Sequence, residues 1–596
     1  MKETSSGFIR KAFLLALLSM LLLQFWFSAI GMRDVWTWCQ SSRDLAAGVL
    51  CIFAAEAASG LLLTHRAWWP GLLLFWCCLL PYSYIEMALY GEYGVRAERM
   101  NYEILTFMPA ILFLFLTEFW ASRRPRLRFL LSAVNTIFIA FFALAAAVYI
   151  GYWCIFGATF SSGDMLSVLL THKKEVFAFI SSHMGYGTFA AAVAAFLIFL
   201  SGIAFVVRLG NRSECGAPLS RTRMAVLAVL FLASAVSICH YAQELFPLAQ
   251  YTSAQKYLAD SEAARKLHTQ NIGKLRLDPA ADAPLPGTVL LVIGETANRT
   301  HMKAFQPDYP VDTTPWLSGK AVDPGFFIFP HSYANYTLTV KAHSMYLTNL
   351  NQYNDRKQAD MITIADVAQK AGYDTYFISN PGPSRGNVAL SLISENAAES
   401  HFTEIGAGDD AQVLDYLRNI PESGSHFIVL RVEGSHDTYR DRLPKGYVGI
   451  QYPEHSQNIN DYDSTILYTD EILRRIFEYA RDHLHLQILL YASDHGEDFK
   501  LFHGDGVFTW DMVRIPFFVY LSPEYRARYP ETAAVLSAHE NKFFTNDLVF
   551  DALCGLMHLP NNGYEAIYDI SSPAYSLTKE KALVKHGMYR VADEGM

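Results

Sequence analysis

Seven apolar runs, roughly at 12–31, 45–64, 68–91, 104–121, 128–156, 187–208 and 222–241, crowd the first 245 residues of this 596-residue chain. Each is long enough to cross a hydrocarbon core of about 30 Å as a helix, so the chain reads as starting with a polytopic membrane domain. Beyond residue 245 the pattern changes to charged, turn-forming and short apolar stretches, as in a soluble α/β domain. The overall composition, 52% hydrophobic, averages over these unlike halves. The first run follows Lys2, Arg10 and Lys11 in the manner of a signal peptide. It is long, lacks a small-residue cleavage site and precedes six further runs, so it reads as an anchor.

Charge sets the expected topology. With the N-terminus in the cytoplasm, the inner segments carry twelve Lys and Arg, including Arg123, Arg124, Arg126 and Arg128, and the outer loops six. By the positive-inside rule, an odd number of spans then leaves everything after about residue 245 outside the cytoplasm. Seven of the eight cysteines precede residue 245, and Cys554 alone follows it, so the second half cannot form an internal disulfide. The net charge of −9 counts against nucleic acid as a partner.

Three regions are therefore expected: a membrane domain of about seven helices over 1–245, a linker over 246–287, and an exported domain over 288–596. Within the linker, the polar, Ala-rich stretch Tyr251–Lys274 predicts one or two surface helices, lying on the membrane surface or serving as a solvated connector. After Gly287 come apolar runs of strand length, Val289–Ile293, Thr375–Ser379, Phe427–Val432, Leu486–Ala492 and Pro516–Leu521, separated by helical segments. This alternation predicts a mostly parallel sheet between helices. Ligands bind such sheets at the carboxyl ends of the strands.

Those ends carry an unusual density of chemistry. The first run leads into Gly294-Glu295-Thr296, the third into Glu433-Gly434-Ser435-His436, and the fourth into Ser493-Asp494-His495-Gly496-Glu497. Glu295, Asp494 and His495 can supply three of the four ligands of a tetrahedral zinc site, leaving one position for a reacting group. Asn335-Tyr336-Thr337-Leu338-Thr339 offers hydroxyls about forty residues past Glu295. A metal ion activates a bound hydroxyl much as it activates water; the competing reading is a β-prone threonine pair inside a strand.

Gly294-Glu295-Thr296, Asp312-Thr313-Thr314-Pro315, Thr337-Leu338-Thr339, Ser435-His436, Ser493-Asp494-His495-Gly496-Glu497 and His503-Gly504 resemble, in order, the motifs of the phosphoethanolamine transferases of the alkaline phosphatase and sulfatase superfamily. The resemblance covers most of 285–560 and implies an alkaline phosphatase/sulfatase-like α/β domain in the periplasm, behind a multi-pass anchor in a bacterial inner membrane. It implies that Zn2+ is held by Glu295, Thr339, Asp494 and His495. Thr339 is then the nucleophile, with Thr337 in reserve as part of the substrate site. His436 and His503 stand near the transferred phosphate, and Arg385 and Asn380 in the Ser379–Gly386 segment bind substrate. The donor is phosphatidylethanolamine, the acceptor an envelope glycan or lipopolysaccharide, and the chain a monomer at the bilayer.

The chain departs from the lipid A modifying members, which have several disulfides and five spans; that points toward the disulfide-free branch, whose acceptors include core sugars and periplasmic glucans. No formylglycine signature precedes the middle of the domain, so sulfate ester hydrolysis is not expected. Two alternatives stand beside the transferase reading: a glycerophosphate transferase of the lipoteichoic acid synthase type, and a catalytically silent membrane scaffold or transporter. The complete ligand set counts against silence, and the scarcity of charge inside the spans, chiefly Glu56 and Glu86, against a translocation path.

Overall fold

The computed structural model describes residues 126–156, 159–171, 185–210, 221–380, 386–403 and 409–595, with scattered positions between 106 and 124 and at 176, 177 and 180. The expected spans at 12–31, 45–64 and 68–91, most of that at 104–121, and Arg385 lie outside the described residues. Those described form two compact units that divide between Ala254 and Gln255, the second also taking in Leu166–Leu170.

In the first unit, helices α1 (Arg128–Phe156), α2 (Tyr186–Gly210) and α3 (Arg221–Tyr241) are uninterrupted. The segments Arg128–Phe156, Tyr186–Arg208 and Leu227–Glu244 are long and apolar enough to cross a membrane. Their outward faces carry large apolar side chains, among them Ile137, Ile198 and Leu232. That is the pattern of helices whose solvent is hydrocarbon.

The linker stretch forms a single helix, α4 (Leu248–Lys274), rather than two. From Gln255 onward it packs on the second unit: Ser261, Ala264, His268 and Asn271 are buried, and their spacing of three and four residues puts them on one face. The stripe is small and polar, which is why the stretch reads as solvated. It is held by hydrogen bonds. His268 Nε2 lies 2.8 Å from Asp366 Oδ2, and Asn271 Nδ2 donates to the carbonyl of Ala359 at 2.7 Å.

The sheet of the second unit has seven strands: β1 (Gly287–Gly294), β2 (Phe326–Ile328), β3 (Asp374–Ser379), β4 (Glu399–Phe402), β5 (Ser425–Arg431), β6 (Leu486–Ser493) and β7 (Phe517–Leu521), in the order β2-β7-β6-β1-β5-β3-β4. All five expected strands are present; the edge strands β2 and β4 add two short ones. β1, β3, β4, β5 and β6 pair in parallel, but β7 runs antiparallel to β6 and β2 antiparallel to β7. The connection 494–516 contains a short 3-10 turn at Trp510–Met512 and no crossover helix of the kind that usually joins parallel strands.

β1 is buried along its whole length. Val289, Leu291 and Ile293 enter the core on one face, packed with Ile364 and Val367 of α5 (Ile364–Ala371). Leu290 and Val292 enter the other, packed with Ile472 and Ile476 of α6 (Gln457–His483). Register then fixes the site. Gly294 pairs with Ser493 across β1 and β6, and Ile293 with Arg431 across β1 and β5, so Glu295 and Asp494 emerge level with each other from adjacent strands about 4.8 Å apart.

The His268–Asp366 contact is fully buried, while the Arg265–Glu395 ion pair on the same helix is half exposed. His268→Ala, which removes a buried ring and its bond to an Asp366 carboxylate that keeps only its Thr363 partners, is expected to destabilise the chain by about 1–3 kcal/mol. Arg265→Ala should cost less than about 1 kcal/mol. Unfolding midpoints of the detergent-solubilised full chain measure both.

Candidate metal and nucleophile site

Glu295 continues β1 and is held from behind. The guanidinium of Arg431, at the end of β5, donates from Nη2 to Glu295 Oε2 at 2.8 Å. Against the cost of burial, Arg431 keeps the Glu295 carboxyl below the usual carboxylate range. Gly434 follows two residues after Val432 at φ +52°, where a Cβ would stand 2.9 Å from the Glu295 carbonyl oxygen, so only glycine lets the two strand ends approach this closely.

Asp494 and His495 continue β6. The backbone N–H groups of Thr296 and His495 donate to Asp494 Oδ1 at 3.1 and 2.8 Å. Asp494 Oδ2 is buried with no hydrogen-bond partner. Burial and the adjacent Glu295 carboxylate push the Asp494 carboxyl up to about 7. The His495 ring donates from Nδ1 to the Gly496 carbonyl at 2.9 Å, which leaves Nε2 facing the two carboxylates. One ligand atom from each of Glu295, Asp494 and His495 lies within 4.8 Å of the others. Two carboxylates and an imidazole nitrogen, with one carboxylate oxygen left unsatisfied, make a donor set that fits a divalent cation.

Thr339 completes this cluster. It is the first residue of α7 (Thr339–Tyr346), a helix rather than a strand. Its Oγ1 stands 3.1 Å from Glu295 Oε1 and 3.1 Å from His495 Nε2, at a helix start where free N–H groups favour an anion. Thr337 is not beside it; its hydroxyl is buried and donates to the Gly504 carbonyl at 2.7 Å, tying the Thr339 loop to the His503 loop. A second tie comes from Asn546, whose Oδ1 accepts from Asn335 N at 2.8 Å and whose Nδ2 donates to the Asp494 carbonyl at 2.9 Å.

The histidines border the cluster. The His503 ring centroid is 4.4 Å from that of His495 and 6.3 Å from that of His436. His503 Nδ1 lies 3.1 Å from Glu497 Oε2, which also accepts from the Tyr439 hydroxyl at 2.9 Å. Although burial opposes it, the Glu497 carboxylate raises His503 to about 9. Asn380 is buried with both ends of its amide engaged: Nδ2 donates to Asp410 Oδ1 at 2.7 Å and Oδ1 accepts from Thr403. Asp410 in turn accepts from the N–H groups of Glu433 and Gly434. Asn380 thus braces the loop that carries His436, and its amide does not face the cluster.

Arg431, Glu497, Asn546 and Asp410 were not singled out from the sequence. Arg431 had a signal, a guanidinium within an apolar run where unpaired arginines are rarely buried; Asn546 had none, since one asparagine in a soluble stretch resembles any other.

A family model described as Sulfatase matches residues 287–558. The putative transferase YhbX of Escherichia coli K12 is 25% identical over 418 residues, covering 65% of this chain and 72% of that protein. Phosphoethanolamine transferase EptA of Salmonella typhimurium LT2 is 25% identical over 323 residues, covering 49% of this chain and 56% of that one. The integral membrane lipooligosaccharide phosphoethanolamine transferase A of Neisseria meningitidis shares the fold, with a TM-score of 0.56, 16% identity, and coverage of 84% of this chain and 97% of its own. Residues 287–558 thus carry a Sulfatase-type domain behind apolar helices, and over that domain the chain is similar to phosphoethanolamine transferases.

Proposed function

We propose that this protein transfers phosphoethanolamine from phosphatidylethanolamine to an envelope glycan or lipopolysaccharide acceptor through a covalent phospho-threonine at Thr339. The observation that carries the reading is the Thr339 hydroxyl, 3.1 Å from both Glu295 Oε1 and His495 Nε2 at the start of a helix. The names of the relatives support the group transferred and an acceptor in the cell envelope. The same reading takes residues 1–245 as the inner-membrane anchor, 246–287 as the linker and 288–596 as the periplasmic catalytic domain of a monomer.

Glu295, Asp494, His495 and Thr339 would hold a zinc ion, which when bound supplies Lewis acidity that favours the ionised threonine and offsets charge on the phosphate. The chain's own residues do the rest. Thr339 Oγ1 attacks phosphorus, forming the Oγ–P bond as the bond from phosphorus to the glycerol oxygen breaks. The His503 imidazolium, held protonated by Glu497, gives its proton to that oxygen and diacylglycerol leaves. In the second displacement, neutral His503 takes the proton of the acceptor hydroxyl as its oxygen attacks phosphorus and Thr339 is released. His436 faces the same phosphate and steadies its charge. Arg385 pairs with the substrate phosphate, while Thr337 and Asn380 shape the substrate site through the loops they brace.

The test follows labelled diacylglycerol released from tagged phosphatidylethanolamine by membranes holding the full chain. Release by wild type, reduced about 10³-fold or more in Thr339→Ala and abolished by chelation, is the expected outcome. No release from folded, zinc-loaded wild type would overturn the donor and leave the glycerophosphate donor to be tried.

Glu497→Gln supplies a pH test. Glu497 raises His503 above its ordinary 6.5, so the proton is bound more tightly in the folded chain, and that stabilisation is complete below 6.5 and lost as pH rises through about 9. Without the carboxylate the alkaline limb of kcat should move down toward 6.5; a limb that stays in place would remove His503 from the acid's role.

A further inference from the structure

His343 follows Thr339 by four residues, one turn along α7, which turns its ring to the same side of the helix as the threonine hydroxyl. It is wholly buried, where a histidine ordinarily has both nitrogens bonded. Only one is. Nδ1 lies 2.8 Å from Asn387 Nδ2, while Nε2 has no hydrogen-bond partner.

Asn387 decides which nitrogen carries the proton. It caps α8 (Val388–Asn396), and its Oδ1 accepts the N–H of Leu390 at 3.2 Å. The amide nitrogen therefore faces the ring and donates, so Nδ1 is the accepting nitrogen and the neutral ring's proton sits on Nε2. Nε2 is 3.9 Å from Asp494 Oδ2, which is likewise buried without a hydrogen-bond partner. His343 is not in the group whose ligand atoms converge, so it stands behind Asp494 rather than among the ligands.

We propose that His343 is a positioning residue for Asp494, its Nε2–H, fixed in that tautomer by Asn387, donating to the Oδ2 lone pair turned away from the ion. This inference rests on the reading that Glu295, Asp494 and His495 bind a divalent metal. Oδ1 is already held by two backbone N–H groups; a shift of less than about 1 Å brings Oδ2 within hydrogen-bond distance of the ring and leaves Asp494 a single free lone pair, the one for the metal. A neutral donor suits this place. A second cation beside Arg431 would repel the ion that the carboxylates are to hold.

The experiment measures Zn2+ affinity of the detergent-solubilised full chain by chelator competition, with the Co2+ absorption spectrum as a second readout. His343→Phe removes the donor and is expected to weaken Zn2+ binding about 10–100-fold. His343→Gln, whose amide can still donate, should recover most of it. Asn387→Asp is the decisive variant: aspartate caps the helix as well as asparagine does, but its carboxylate accepts from the ring, moves the proton to Nδ1 and turns a bare Nε2 toward Asp494. Weaker Zn2+ binding and an altered Co2+ spectrum are expected. Asn387→Asp that binds as wild type does, or His343→Gln no better than His343→Phe, would overturn the role of His343 with the metal reading intact. Wild type that binds neither Zn2+ nor Co2+ would overturn the metal reading itself.

Discussion

Two carboxylates buried side by side repel each other, and the catalytic unit is organised around that repulsion. Glu295 and Asp494 emerge from adjacent strands because β1 and β6 pair in the register Gly294 to Ser493, and both are almost wholly excluded from solvent. Arg431 compensates one charge from the flanking strand. The other stays raised by its neighbour, and burying an uncompensated charge costs several kcal/mol. The fold accepts that cost at the strand ends where the candidate metal ligands converge. Gly434, Asn546 and Asp410 are in place to keep the geometry from relaxing.

Much of this was legible in the sequence because burial on both faces leaves a plain trace. The five central strands are continuous apolar runs, and the rule that ligands sit at carboxyl ends led directly to Glu295, Asp494 and His495. Less legible were features set by tertiary context. β2 and β4, three and four residues long at the sheet's edges, carry too few residues for a period. The direction of β7 depends on the return path of 494–516, not on its own composition. The threonine pair also read as part of a β-prone strand; in the fold Thr339 starts a helix, and the bonds of Asn335 to the Asn546 side chain and of Thr337 to the Gly504 carbonyl, which no local pattern reveals, hold the loop before it.

Helix α4 shows the converse. Its buried face consists of serine, alanine, histidine and asparagine, residues that a hydrophobicity pattern assigns to solvent. It is held by pairing donors with acceptors that α5 and the loop before it present. Such an interface is specific rather than strong, because each bond stabilises little but each mismatch is costly.

The meeting of Thr339 with Glu295 and His495 also has a topological meaning. The partners are separated by 44 and 156 residues of chain, so holding them together closes two long loops, as a covalent bridge would. Unlike a covalent bridge, these hydrogen bonds are absent from the unfolded chain, so closing loops of that length costs conformational entropy on folding that the contacts around the cluster must offset. With Cys554 the one cysteine after residue 245, sulfur chemistry cannot supply such a cross-link within the catalytic unit. The cluster is thus also a place where distant parts of the chain meet, and whatever binds there bears on how tightly the domain is fastened.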